Sequence, residues 1–130
     1  MGQLLKHGLL DGVSLITPQG KCIYSKGCLT DVAETAWRQF TDVFRYATPK
    51  HDEEMCQRGF QLPQGDKPPL QFKVFKKTFC SMYATSESKR EGLIACSLPY
   101  GTLICVFSSV RHPANAVIVH VENFCDSLRA

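Results

Sequence analysis

Gly92-Leu-Ile-Ala-Cys-Ser-Leu-Pro-Tyr-Gly-Thr-Leu-Ile-Cys-Val-Phe107 reads as two apolar strands joined by a short Pro-Tyr-Gly turn. Strands with almost no polar face need cover on both sides, so this hairpin belongs at the centre of a sheet. A break follows over residues 108–114, and Val117, Val121, Phe124, Cys125 and Leu128 then mark one stripe of a C-terminal helix. That stripe is the natural cover for one face of the hairpin.

Upstream, residues 3–11 carry Leu4, Leu5 and Leu9 on one side of a short helix that Asp11-Gly12 ends. Val13 to Thr17 and Lys21 to Ser25 flank Pro18-Gln19-Gly20, which predicts a β-hairpin. Thr30 or Asp31 caps a helix in which Val32, Ala33, Ala36, Trp37, Phe40, Val43, Phe44 and Ala47 follow helical spacing until Pro49 ends it. Trp37 shares its face with core residue types and reads as core rather than as a binding residue. Residues 48–69, with four Pro and two Gly, read as a long loop in which Phe60 and Leu62 form a short strand edge or pin the loop to the core. Leu70 to Lys76 alternates, with Leu70, Phe72 and Val74 on one face and Gln71, Lys73 and Phe75 on the other. Thr78 to Ala84 is the next strand, Lys76-Lys77 the bend before it, and Ser86 to Glu91 a charged turn. These elements predict an α+β fold. Residues 1–130 form one domain with a central antiparallel sheet of five to six strands, sandwiched by N- and C-terminal helices and a central helix.

Composition narrows the function. At 130 residues, 44% hydrophobic and 21% charged, the chain has the make-up of an ordinary globular domain. No apolar run approaches the ~20 residues of a membrane span. The amino terminus is too short and too charged for a signal peptide, and Lys6 breaks the myristoylation motif that follows Gly2. The seven cysteines sit mainly in apolar patterns, as Cys22, Cys80, Cys96, Cys105 and Cys125 do. No Cys-x-x-Cys or Cys/His pair has ligand spacing, so reduced core thiols of a cytoplasmic protein are expected, with no metal or cofactor. Phosphate-loop, nucleophile-elbow and metalloprotease motifs are missing, and His112 and His120 suit capping or surface roles. A binding module is expected, not an enzyme. The net charge of +3 is too small to imply nucleic acid. Its distribution is uneven, because Lys67, Lys73, Lys76, Lys77, Lys89 and Arg90 crowd into 24 residues. Such a surface suits an acidic protein or anionic headgroups.

The order of elements, and the wording Gly92-Leu-Ile-Ala-Cys, Thr102-Leu-Ile-Cys-Val-Phe107, Pro113 and Val121-Glu122-Asn-Phe-Cys-Asp126-Ser-Leu128, resembles the profilin family over nearly the full length. The resemblance implies a profilin-like domain that is cytoskeleton-associated and binds monomeric actin or an actin-related partner. Its partner face would comprise Lys73, Lys76, Lys77, Lys89, Arg90, Arg111, His112 and Asn115. It also implies contact with phosphoinositide headgroups through basic surface. The family's proline-rich-peptide groove is lined with aromatics, and here it is degenerate. Leu4 and Leu5 replace first-helix aromatics, Ile23 stands for the strand tryptophan and Ser127 for the last-helix tyrosine, while Tyr24 and Phe124 sit one position off. Weak or absent peptide binding follows. A second reading is a roadblock/longin-type scaffold, a fold of similar element order that dimerises through a sheet edge or its central helix and supports GTPase or motor complexes. A stable homodimer would distinguish it.

Overall fold

A computed structural model describes residues 8–30, 32, 34–41, 43–44, 48–64 and 67–129. The strands are β1 (Gly12–Ile16), β2 (Cys22–Gly27), β3 (Phe60–Gln64), β4 (Lys67–Lys77), β5 (Ser81–Ser86), β6 (Glu91–Leu98) and β7 (Gly101–Ser108). The helices are α1 (Glu34–Trp37), which runs into a 3-10 turn at Arg38–Phe40, α2 (Pro49–Arg58) and α3 (Ala114–Arg129). All strand pairs are antiparallel, in the order β2-β1-β7-β6-β5-β4-β3. Of the helix expected over residues 3–11, the part with Leu4 and Leu5 lies outside the described residues, and residues 8–11, Leu9 among them, are not helical but lead into β1 as irregular chain.

The apolar hairpin expected over residues 92–107 is β6–β7. Ser97 pairs with Thr102 and Leu98 with Gly101, which leaves Pro99-Tyr100 as a two-residue turn. Its two faces feed two separate cores. Leu93, Ala95, Ile104 and Val106 pack with Trp37, Phe40, Met55, Phe60 and Phe72. Ile94, Cys96, Leu103, Cys105 and Phe107 pack with Val117, Val121 and Cys125 of α3. One helical layer therefore covers each side, as two apolar faces require. Gly92 belongs to this packing, because a β-carbon there would stand 2.1 Å from Phe107 Cζ. The absent side chain is the space in which the Phe107 ring lies.

On the α1/α2 side, Trp37, Phe40 and Val43 recur at intervals of three and are all buried. Phe40 stacks on Phe60 with centroids 4.7 Å apart. An interval of three is the period of a 3-10 helix, and the chain winds that way here through Thr41 N–H to Arg38 O and Val43 N–H to Phe40 O. Among the described residues of the long helix expected from Thr30 to Ala47, only α1 and its 3-10 extension are helical. Thr30 instead closes a turn, donating its hydroxyl to Gly27 O at 2.8 Å. Thr41 likewise donates to Arg38 O at 2.8 Å, a local bond that competes with helix propagation.

The expected loop at residues 48–69 is the largest correction, since it contains α2 and β3. Pro49 begins a helix where the sequence reading has it end one. Thr48 Oγ1 accepts His51 N–H at 3.2 Å, Pro49 takes the first turn, and Gly59 closes the helix with φ 69°. Met55 is the helix's one buried residue, so there was almost no apolar period to read. Polar contacts fasten α2 instead. Lys77 Nζ lies 3.0 Å from Asp52 Oδ1 and 5.5 Å above the Phe44 ring, while Gln71 Nε2 donates to Arg58 O at 3.4 Å. Strand β3 pairs Phe60 with Phe72 and Leu62 with Leu70, which raises the sheet from the expected five or six strands to seven. Its outer edge is blocked by Gln39, whose amide donates to Gln61 O at 2.6 Å and accepts Gln61 N–H at 3.0 Å. The bend expected at Lys76-Lys77 falls later, where Thr78 N–H bonds Ser81 O.

Substituting Gly92→Ala should cost about 2–3 kcal/mol by overpacking Phe107. Urea unfolding checks this, and the additional change Phe107→Leu should recover part of the loss.

Candidate partner-binding face

Strand β4 decides the shape of the surface. Phe72 faces Ser86 and Val74 faces Ala84, on the α1/α2 side, while Lys73 faces Thr85 on the α3 side. A bulge then interrupts the pairing between Val74 and Lys76, leaving Phe75 as the extra residue. Past the bulge, Lys76 pairs with Tyr83 and Lys77 with Met82. Since directly paired residues share a face, Lys73 and Lys76 both stand on the α3 side and Lys77 on the other. Phe75 rests against Tyr83, with ring centroids 6.3 Å apart. Phe75 is 57% exposed, a large apolar group between two exposed cations.

The eight residues expected to contact a partner therefore divide. Lys73 and Lys76 share one open face. Lys77 does not join them: its side chain is 7% exposed and held by Asp52. Lys89 and Arg90 lie in the β5–β6 turn, Lys89 with a left-handed φ of 64°. That turn is tied to the connection leading into α3, because Ser109 Oγ donates to Lys89 O at 2.7 Å and Ser109 N–H to Arg90 O at 2.9 Å. Arg111 is ion-paired with Asp11, and His112 Nε2 is 3.0 Å from Gly8 O, so both brace the chain before β1. Asn115 is exposed in the first turn of α3. Alternation alone puts Lys73 and Phe75 on one face, but only the bulge adds Lys76 to it and only the strand pairing adds Tyr83.

Behind this face a polar cluster joins α3 to the sheet. Glu122 Oε1 accepts Ser81 Oγ at 2.6 Å, Tyr83 OH at 3.0 Å and Cys96 Sγ at 3.5 Å. At the end of α3, Arg129 donates to Ser97 O at 2.9 Å and Cys80 O at 3.2 Å. Burial, then the hydrogen bond to Glu122 and that carboxylate's charge, push the Tyr83 hydroxyl up to about 12. The thiols nearby diverge: burial raises Cys105, and the Cys125 hydrogen bond together with burial raises Cys96, while that same hydrogen bond lowers Cys125. Among the described residues no group of three potential metal ligands comes together.

Of the positions expected to line a degenerate peptide groove, Leu4 and Leu5 lie outside the described residues. Tyr24, opposite Leu15, and Phe124 both pack at the margin of the α3-side core. Ile23 is the extra residue of a bulge in β2 and is 54% exposed. Ser127 is exposed and donates its hydroxyl to Phe124 O at 2.6 Å.

No family model matches this chain, and no curated protein sequence does. Its fold matches solved profilins. Acanthamoeba castellanii profilin II is 19% identical, with a TM-score of 0.72 over 95% of this chain and 88% of that one. LokiProfilin2, solved in complex with rabbit actin, is 12% identical, with a TM-score of 0.74 over 98% and 90%. Mouse profilin IIa, solved with a double repeat from the FH1 domain of mDia1, is 10% identical, with a TM-score of 0.65 over 96% and 93%. The chain is a divergent profilin-like protein in its fold.

The Tyr83 shift makes a pH prediction. The folded value, about 12, lies above the ordinary 10.0, so this group's contribution to stability is complete below pH 10 and is lost as pH rises toward 12. Unfolding measured between pH 8 and pH 11.5 should show that loss, and Tyr83→Phe should remove this component of it.

Proposed function

We propose that this chain is a profilin-like cytoskeletal binding module, not an enzyme, that engages monomeric actin or an actin-related partner through the α3-side face of β4 and β5. The observation that carries this reading is the exposed Phe75 set between Lys73 and Lys76 on a sheet face that α3 leaves open. Cations of this kind speed encounter with an acidic partner and fix its register, and an apolar knob supplies affinity. The fold likeness to LokiProfilin2, itself solved with rabbit actin, supports the choice of partner. Asn115, Arg90 and Lys89 extend the surface toward the first turn of α3. Arg111 and His112 contribute chiefly by holding that end of the molecule together.

Phosphoinositide headgroups are a second ligand of the same cations, Lys73, Lys76 and Arg90, which are exposed. Binding of proline-rich peptide is weak or absent. Among the described groove positions only Tyr24 and Phe124 offer aromatic rings, and both are already partly buried in the core. A cytoplasmic, cytoskeleton-associated setting follows from an actin partner.

Binding of purified actin monomers at low and moderate salt tests the reading. A dissociation constant in the micromolar range is expected, weaker at the higher salt. The pair Lys73→Glu/Lys76→Glu should weaken binding at least tenfold, which is about 1.4 kcal/mol. Lys77→Glu should act differently, destabilising the fold by about 2 kcal/mol through repulsion of Asp52, between the exposed and buried limits for an ion pair. No binding at either salt, together with a stable homodimer in solution, would overturn this reading in favour of a roadblock/longin-type scaffold.

A further inference from the structure

Three donors converge on one oxygen of Glu122: Ser81 Oγ at 2.6 Å, Tyr83 OH at 3.0 Å and Cys96 Sγ at 3.5 Å. They come from β5 and β6, whereas Glu122 comes from α3, so a single carboxylate fastens the helix across two strands. Hydrogen bonds to an ionised acceptor are roughly twice as strong as neutral ones. Tyr83 is only 8% exposed, and its hydroxyl donates to this carboxylate.

Tyr83 is in turn the floor of the proposed binding face. Phe75 leans on it at 6.3 Å with 32° between the ring planes, and Phe75 is the bulged residue with no partner across the β4–β5 register. The Phe75 ring is 57% exposed, and the Tyr83 ring lies against it. The chain of contact runs from Glu122 to the Tyr83 hydroxyl, through the Tyr83 ring, to the exposed Phe75 ring.

We infer that Glu122 is a positioning residue for partner binding: it anchors Tyr83 as the surface on which Phe75 stands, and so presents the apolar knob in one place between Lys73 and Lys76. The inference rests on the reading of this face as the partner site. Ordering an anchor before contact lowers the entropic cost of binding, so Glu122 acts on affinity without touching the partner. Asn115 and Val119, both exposed on α3, can contact a partner directly, and the half-buried Glu122 lies one turn further along the helix.

The variants Glu122→Gln, Tyr83→Phe and Phe75→Ala test this, read by actin-monomer affinity and by NMR of the Phe75 ring. Glu122→Gln keeps the side-chain shape and removes the charge, and it should weaken binding roughly fivefold through loss of preorganisation. In the Phe75→Ala background the same change should cost nothing further, since coupled residues are not additive. The Phe75 ring resonances should shift in Glu122→Gln, and also in Tyr83→Phe, which keeps the ring and drops only its anchor. A loss of affinity that is the same in both backgrounds would mean that Glu122 merely stabilises the fold, and would overturn the inference. Unchanged affinity with unchanged Phe75 resonances would overturn it as well. If the wild-type protein binds no actin, the reading of the partner fails by itself. The resonances then decide the positioning: shifted signals support it and unchanged signals overturn it.

Discussion

Burial of the β6–β7 hairpin on both faces is the constraint from which the rest of the architecture follows. A strand pair as apolar as Leu93–Cys96 against Leu103–Val106 cannot leave either side in water. The helical layer on each side answers that demand, and the two cores share only the strands between them. Gly92 and Phe107 show how closely the α3-side core is filled: one missing side chain holds the ring of another.

The two covers are built differently. On one side α3 packs as an amphipathic helix, with Val117, Val121 and Cys125 buried in succession. On the other side α2 brings a single buried methionine and relies on Asp52 and on Lys77, whose ammonium lies over Phe44. Apolar burial is insensitive to pH and salt over ordinary ranges, whereas an ion pair half open to water is not. The α3 side, where the proposed partner face lies, thus rests on the firmer foundation. The Glu122 cluster adds a directional element to packing that is otherwise non-directional.

Legibility in the sequence followed the strength of the hydrophobic pattern. The terminal hairpin, the α3 stripe and the Pro18-Gln19-Gly20 turn were all readable, because each is a local signal with one physical meaning. Helix α2 was not, although Thr48-Pro49 and Gly59 mark its ends, because capping signals without an apolar period resemble a loop. The stretch around Trp37 misled in the opposite direction. Residues spaced three apart satisfy a 3-10 turn as readily as an α-helix, and the Thr41 hydroxyl favoured the turn. Among the site residues, Lys73 and Lys76 were nameable as charges, but their common face was not.

The sequence by itself determined that two apolar strands lie at the centre, that a helix closes the chain over them, and that cations crowd into β4 and the β5–β6 turn. These are properties of composition and period, and they survive without knowledge of any contact. Only the tertiary structure decided which cations act together. A one-residue bulge at Phe75 turns Lys76 to the side of Lys73 and sends Lys77 to Asp52, because side chains alternate with a period of two and a single extra residue reverses every one that follows. The same holds for Glu122, one acidic residue among twelve Asp and Glu in the sequence. It becomes distinctive only where α3 crosses β5 and β6 and brings Ser81, Tyr83 and Cys96 to its oxygen.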